Sequence, residues 1–474
     1  MAISCNDILD NPQPSTSLSQ EIALSDEGAL RSVRAAMLGR LHTFTFTTRN
    51  MLGPDALADN LWNRSGSSRF QGLSQNQFRD GMADGGTYGS VYDLINDANL
   101  IIEAVEPGVV SEDELTMFRG EAYFLRAYAY HNLVKALGRD PLAVPTTGPG
   151  AGFDLGVVIR TNPTLDVSDA DFRPRSTVVE VYQQMESDLL EAINLLGQSS
   201  GPSRFFVQQA AAEALLARVY LFWERWGDAN TFAQRAIDNT SAVLTAGSDV
   251  GGIWNPNNDE GIFITLVDPS TESQGVNNSL AAYTSTQWTA QIPTADLISL
   301  YDEDDERLAW YAPCFDDARN NDFEASCDND VGTGLEIQKY TSFGNTNFAD
   351  NVPLLRVPEM ILIQAEALLN TQGVADAISR LNILRESRSL DPLDPADFTL
   401  ATALDEILDE RRRELAAEGH RFYDLRRNRR AIRKSPDANA IGFPNVPFND
   451  IQLLDNVPDQ ELETNPELVQ NPGY

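Results

Sequence analysis

The sequence predicts an all-α dominated fold, built of helical hairpins and interrupted by a loop-rich insertion region containing short strands. Apolar residues recur at helical spacing over most of the chain, and one short fragment returns at the start of separate hairpins. Two long stretches rich in Pro, Gly, Thr, Asp and aromatic residues break that periodicity.

The first amphipathic segment is 26–47, with Leu30, Val33, Met37, Leu38 and Leu41 on one face. A polar, Gly- and Ser-rich excursion follows from Asn63 to Gly89, and a second helix is expected from about Tyr88 to Val105. Ser111 reads as an N-cap and Glu114 completes a capping box. That helix reaches about Leu137, where Gly138 and Pro141 end it. Residues 139–175 read as a long excursion. Residues 206–225 and 228–240 form one helix–turn–helix pair about Gly227, and 357–370 with 373–388 form another about Gly373. Glu213-Ala214-Leu215-Leu216 and Glu366-Ala367-Leu368-Leu369 repeat one fragment, echoed by Glu121-Ala122-Tyr123-Phe124. Small alanines between large apolar residues let two helices approach closely, so these segments read as degenerate tetratricopeptide-like hairpins. Residues 241–355 mix β-like runs such as Ile262 to Leu266 with loops that carry Trp254, Tyr283, Trp288, Trp310 and Tyr311. Long ordered loops of this kind usually carry function. The expected organisation is an N-terminal tether over 1–25 and a single domain over 26–474, whose ligand region lies at about 241–355.

Seventy acidic residues against 35 basic ones give a formal net charge of −35, a field that repels nucleic acid. The basic cluster Arg426, Arg427, Arg429, Arg430, Arg433 and Lys434 is read as complementing a helix C-terminus. Lysine is confined to Lys135, Lys339 and Lys434, and so acidic a surface suits strong salt, which screens self-repulsion. A halophilic source is expected.

Catalysis finds no foothold. There is no G-x-S-x-G elbow and no H-E-x-x-H, and His42, His131 and His420 lie far apart. His131, in an apolar helix, reads as structural. The Gly148–Gly152 run lacks the lysine of a phosphate loop. Neither acidic run, at 302–306 or at 316–330, has the EF-hand spacing. No cofactor, metal or enzymatic activity is expected. Loop aromatics are more informative, because sugar C–H faces stack on indole and phenol rings while nearby Arg and Asn bind hydroxyls. Trp62 with Arg64 and Arg69 in one excursion, and Tyr283 with Trp288 in another, are the candidate ligand-binding residues, whereas Trp223 and Trp226 read as core. Cys314 and Cys327 flank an acidic loop and could form a local disulfide in an oxidising compartment; two unpaired thiols are the alternative.

The stretch Glu410 to Arg427 (ERRRELAAEGHRFYDLRR) closely resembles the signature of the SusD/RagB family. Asn465 to Tyr474 (NPELVQNPGY) is similar to that family's terminal motif, and Arg119 to Leu142 to its helical hallmark. Asp97-Ala98-Asn99 resembles its small-residue–Asn step, and Cys5-Asn6-Asp7-Ile8-Leu9-Asp10 its mature lipoprotein start. The 410–427 residues themselves read as structural: the acids share one helix face with arginines able to pair there, and Gly419 permits a tight turn. The resemblance implies a tetratricopeptide-like, SusD-like scaffold whose variable loops bind oligosaccharides, or in some branches peptides. It implies a lipoprotein acylated at Cys5, on the outer face of the outer membrane, that serves a TonB-dependent, SusC-like transporter. Ala2-Ile3-Ser4-Cys5 resembles the end of a lipobox, although only Met1 to Ser4 precede the cysteine. A peptide-binding member, a helical-repeat adaptor without small ligand, and a glycoside hydrolase on a helical scaffold are the other readings.

Overall fold

The computed structural model describes residues 25–474 except 65–66, 76–80, 107, 149, 165–167, 169–170, 199–202, 255–257, 286–287, 314–332, 343–346 and 436–444. Cys5, Cys314, Cys327 and the acidic run 316–330 therefore lie outside the described residues.

Eleven helices carry the argument: α1 (Glu27–Gly39), α2 (Asn50–Leu57), α3 (Gly85–Asn99), α4 (Glu112–Leu137), α5 (Val178–Leu196) and α6 (Gln209–Phe222), then α7 (Trp226–Asn239), α8 (Val357–Thr371), α9 (Val374–Ser387), α10 (Leu400–Leu415) and α11 (Arg421–Arg427). Short polar side chains start several of them. Asp26 accepts from the Ala29 amide at 2.9 Å, Asp84 from Thr87 at 2.8 Å and Ser111 from Glu114 at 3.4 Å, each satisfying an orphan N–H of a first turn. Helix α5, which the hairpin reading passed over, starts with a full capping box of Thr177 and Glu180.

Two expected boundaries move. The 26–47 segment is helical only to Gly39, then tightens into a 3₁₀ turn at Arg40–His42 and widens into a π turn at Thr45–Arg49. The α6–α7 turn falls before Gly227, where Glu224 takes a left-handed conformation (φ 55), and Gly227 lies inside α7.

Successive helices from α3 to α9 pack side by side, and α7 packs on α8 although 117 residues separate Asn239 from Val357 in the numbering. The helical array thus continues across the insertion. Ala211, Ala214, Ala217, Ala229, Ala233, Ala236, Ala365 and Ala367 are all buried at these contacts, where a larger side chain would hold the helices apart. The glutamate of the repeated fragment is buried too. Glu213 accepts from Arg235 (2.9 Å) and Asn239 (2.7 Å) of the following helix, and Glu366 from Arg427 (2.7 Å).

The insertion leaves after α7 and returns through strand pairing. The strands that frame the insertion are, in chain order, β1 (Leu61–Asn63), β2 (Gly261–Thr265), β3 (Gln291–Pro293), β4 (Tyr311–Pro313), β5 (Leu335–Ile337) and β6 (Val352–Arg356). Antiparallel β2–β6 closes the base of the insertion, with Gly261 opposite Arg356, and β4–β5 forms a second ribbon. The β1–β3 ribbon joins the 61–74 excursion to the insertion, with Trp62 opposite Ile292.

A buried ionic network locks the insertion to the signature helix. Arg307 donates to Asp305 (2.8 Å) and Glu410 (2.6 Å). Arg356 and Arg388 both reach Glu260 and Glu414 at 2.9–3.0 Å, and Lys339 reaches Glu418 at 2.7 Å. Burial alone would raise the Glu410 carboxyl, but Arg307 and Arg413 hold it down at about 2. Glu414 and Glu418 are thus paired with basic groups of other segments, Glu410 with Arg307 and with Arg413 of its own helix, and Asp424 with Arg411 and Arg427 of the signature itself. Gly419 lies in the turn between α10 and α11 at φ 82, where a Cβ would clash with the Asn50 carbonyl oxygen of α2.

Arg426 and Arg427 of the basic cluster stand in the last turn of α11, as the sequence reading expected, and the cluster is also tied into the fold. Arg426 pairs with Asp140 (3.2 Å), Arg427 with Glu366 and Asp424, Arg429 with Glu224 (3.1 Å), and Lys434 donates to the Ala56 carbonyl. These charges are held by specific acceptors across the fold as well as at a helix end. That leaves little of the cluster for a polyanion.

Candidate functional site

The β1–β3 ribbon brings the two predicted aromatic excursions together. Gln291 of β3 donates to Asn63 Oδ1 at 2.8 Å and to the Arg69 carbonyl at 2.9 Å, and the Arg64 amide donates to Ala290 at 2.8 Å. Arg69 is thereby carried to the 277–288 segment. Its Nη1 donates to the Ala282 (2.9 Å) and Trp288 (3.1 Å) carbonyls, its Nη2 to Asn277 Oδ1 (3.3 Å), and its guanidinium lies 4.9 Å from the Tyr283 ring centroid. Arg69, Tyr283 and Trp288, 219 residues apart at the extremes, form one cluster.

The four predicted residues differ in access. Trp62 and Tyr283 are 6 % and 5 % exposed, so neither offers an open ring face. Trp62 sits in the ribbon itself. Tyr283 packs against Phe70 at 5.1 Å and Phe44 at 6.0 Å, and its hydroxyl donates to the Asn277 carbonyl at 3.3 Å. Trp288 is 37 % exposed and Arg69 is half-buried, so these two face solvent.

Two guanidiniums lie close in this patch. Burial lowers the Arg69 pKa below the ordinary arginine value, and burial together with the neighbouring Arg69 charge lowers that of Arg64. Among the described residues Arg69 makes no ion pair, and its acceptors are two carbonyls and an amide. Those three bonds leave two of the five guanidinium donors for a ligand. The arrangement offers a cationic hydrogen-bond donor beside an exposed indole, which suits recognition of a hydroxylated ring and supplies no nucleophile or acid–base pair.

Sequence reasoning missed Phe44, Phe70 and Asn277, which support the cluster. Phe70 carries one retrospective signal, since it lies beside Arg69 in the same excursion and stands in a left-handed conformation (φ 57). The other loop aromatics are core. Trp254 and Trp310 meet edge to face at 5.8 Å, with Lys339 4.8 and 4.6 Å from their rings. His131 is buried edge-on to Phe222 at 5.3 Å, and burial lowers its pKa. Among the described residues no group of acids, histidines and cysteines could hold a metal ion, and no helix is long and apolar enough to cross a membrane.

Comparison with known proteins places this scaffold. Residues 19–221 match a family profile described as starch-binding associating with outer membrane, and residues 319–474 match the SusD family. SusD-like protein P2 of Formosa agariphila is 27 % identical over 422 residues, covering 81 % of this chain and 79 % of the relative. Among solved structures, a SusD superfamily protein of Bacteroides thetaiotaomicron superposes with a TM-score of 0.81 at 22 % identity, covering 94 % and 100 % of the two chains. A putative sugar-binding protein of Bacteroides vulgatus superposes with a TM-score of 0.80 at 24 % identity, covering 95 % and 99 %. A laminarin-binding SusD-like protein superposes with a TM-score of 0.71 at 21 % identity, covering 95 % and 100 %.

Proposed function

The chain belongs to the SusD/RagB family, and on that premise we propose that it captures oligosaccharides at the cell surface and delivers them to a TonB-dependent, SusC-like transporter. The family consists of outer-membrane-associated binding proteins, not enzymes. One observation carries the glycan reading: the exposed Trp288 indole stands beside Arg69, whose guanidinium keeps two donors unspent among the described residues. Trp62 and Tyr283 complete the site from beneath, as buried supports of the ribbon and of Arg69. Ring stacking supplies area and the guanidinium supplies orientation, a division of labour typical of small-molecule sites.

Residues 1–25 serve as a tether from an acylated Cys5, with the diacylglycerol supplying the multiple chains that stable anchoring needs. The acidic surface suits a saline habitat. Of the three lysines, Lys339 and Lys434 are buried and Lys135 is half-buried, so cationic relief of the surface comes from arginine.

The test is a binding panel of oligosaccharides and peptides, joined to affinity purification of the full-length protein from outer membranes. Binding of an oligosaccharide and recovery of a β-barrel transporter are the expected results. Binding of peptides alone would change the cargo, and recovery of a soluble partner with no small ligand would favour an adaptor.

A further inference from the structure

A cavity of 360 Å³ lies between α3, the 156–164 segment and the C-terminal residues 461–468, with no residue of the Arg69–Trp288 patch in its lining. Its wall is pinned before any ligand arrives. Tyr92 exchanges hydrogen bonds with the Val158 backbone at 2.9 and 3.0 Å, and Tyr130 with Arg160 at 2.7 Å. Asn99 donates to the Arg160 and Asn162 carbonyls at 3.1 Å, and Asn96 accepts from the Thr164 amide at 2.7 Å. Such pre-organisation spares a ligand the cost of ordering the loop. The volume sits at the small end of ligand cavities, which run from about 300 to 1,000 Å³.

Lining chemistry narrows the occupant. Tyr88 and Tyr92 (ring centroids 4.8 Å apart) and the half-buried Phe172 give aromatic walls. Glu461 lies on the short helix Asp459–Thr464, and no described side chain donates to its carboxylate. Burial raises its pKa, and the facing Arg160 charge works against that rise. Arg160 in turn lies 3.7 Å from Asp171 Oδ1 and donates to the Asp171 carbonyl at 2.7 Å. Two carboxylates, Glu461 and Asp93 (the latter 3.3 Å from Arg40), and one guanidinium, Arg160, line the cavity, so an anion would meet the acids and a cation would meet Arg160. A neutral polyol is repelled by neither, and a vicinal diol can accept from Arg160 while donating to Glu461. We propose that this cavity is a second saccharide subsite, which takes one neutral sugar ring or the end of a neutral disaccharide. It stands independently of the Arg69–Trp288 reading, and would let one chain hold a polysaccharide at two points.

The test uses the full-length chain carrying Trp288→Ala, so that the first site is weakened. It is titrated with maltose, cellobiose, laminaribiose and mannobiose, with glucosamine and glucuronic acid as charged counterparts. At least one neutral disaccharide is expected to bind, and about tenfold more weakly after Glu461→Gln or Phe172→Ala. Phe172→Ala leaves the pinned wall intact and serves if Glu461→Gln unfolds the chain. Binding of the charged sugars alone, binding unmoved by both substitutions, or no binding in the Trp288→Ala background would each overturn the proposal. Loss of all binding through Trp288→Ala, with wild-type binding intact, would leave the first site standing by itself.

Discussion

Replacing Glu414 with Gln removes one charge from the centre of the buried network while keeping its shape. Glu414 accepts from Arg356 Nη1 (3.0 Å), Arg388 Nε and Nη2 (3.0 Å each) and Arg307 Nη1 (3.2 Å). Burial would raise its pKa, yet Arg388 and Arg356 hold it well below the ordinary carboxylate range. Removing one partner from a buried ion pair costs about 3–5 kcal/mol, because the remaining charge is left uncompensated. Here each arginine keeps a second acid: Glu260 for Arg356 and Arg388, and Asp305 with Glu410 for Arg307. The lower end, about 3 kcal/mol, is therefore expected. Urea unfolding followed by tryptophan fluorescence suits the measurement, since Trp254 and Trp310 lie against the network at Arg356 and Arg388. Urea also adds no salt to screen the charges. A loss under about 1 kcal/mol, no more than an ordinary hydrogen bond contributes, would refute the view that this network docks the insertion.

Gly419→Ala combines a left-handed φ of 82 with a Cβ that clashes with the Asn50 carbonyl, so a loss of a few kcal/mol or failure to fold is expected by the same assay; an unchanged midpoint would contradict it. Asp455, accepting from the Ala83 amide at 2.6 Å, is pushed by burial up to about 7. A raised folded pKa favours folding below the ordinary carboxyl value near 4, and that contribution is lost as pH rises through 7. Wild-type midpoints should therefore fall more between about pH 4 and 7 than those of Asp455→Asn, and parallel curves would argue against a buried neutral carboxyl. If the acidic surface is adapted to salt, unfolding midpoints should climb between about 0.1 and 2 M NaCl. A flat response would remove the saline reading.

The helical scaffold was legible because its physics is local. Periodicity, the Ser111 cap and the alanines of the repeated fragment each act within a few residues of chain, and they appear where expected. Helix α5 was equally local, and its Thr177/Glu180 box was there to read. What the fragment did not reveal was the task of its glutamates, because Arg427 lies 61 residues from Glu366. The loop aromatics divide along the same line. Trp254 and Trp310 share the composition of their surroundings with Trp288, yet long-range contacts with Lys339 and Arg356 make them core. Arg69, Tyr283 and Trp288 were named from composition, but their meeting depends on β1–β3 pairing across more than 200 residues. No local signal specifies such pairing. The helix end at Arg426 and Arg427 was legible in the basic cluster, but its acceptors were not, being scattered from Ala56 to Asp424.

The central claim is that this chain binds glycan through the Arg69–Trp288 patch. Its most direct test is calorimetric titration of the full-length protein, its Trp288→Ala and its Arg69→Ala variants with the best oligosaccharide of the panel. Trp288→Ala is expected to weaken binding about tenfold or more without moving the unfolding midpoint, as loss of an exposed aromatic anchor does. Arg69→Ala should weaken binding and also increase amide exchange over 277–290, because its guanidinium holds the Ala282 and Trp288 carbonyls. Unchanged affinity in both variants would contradict the account.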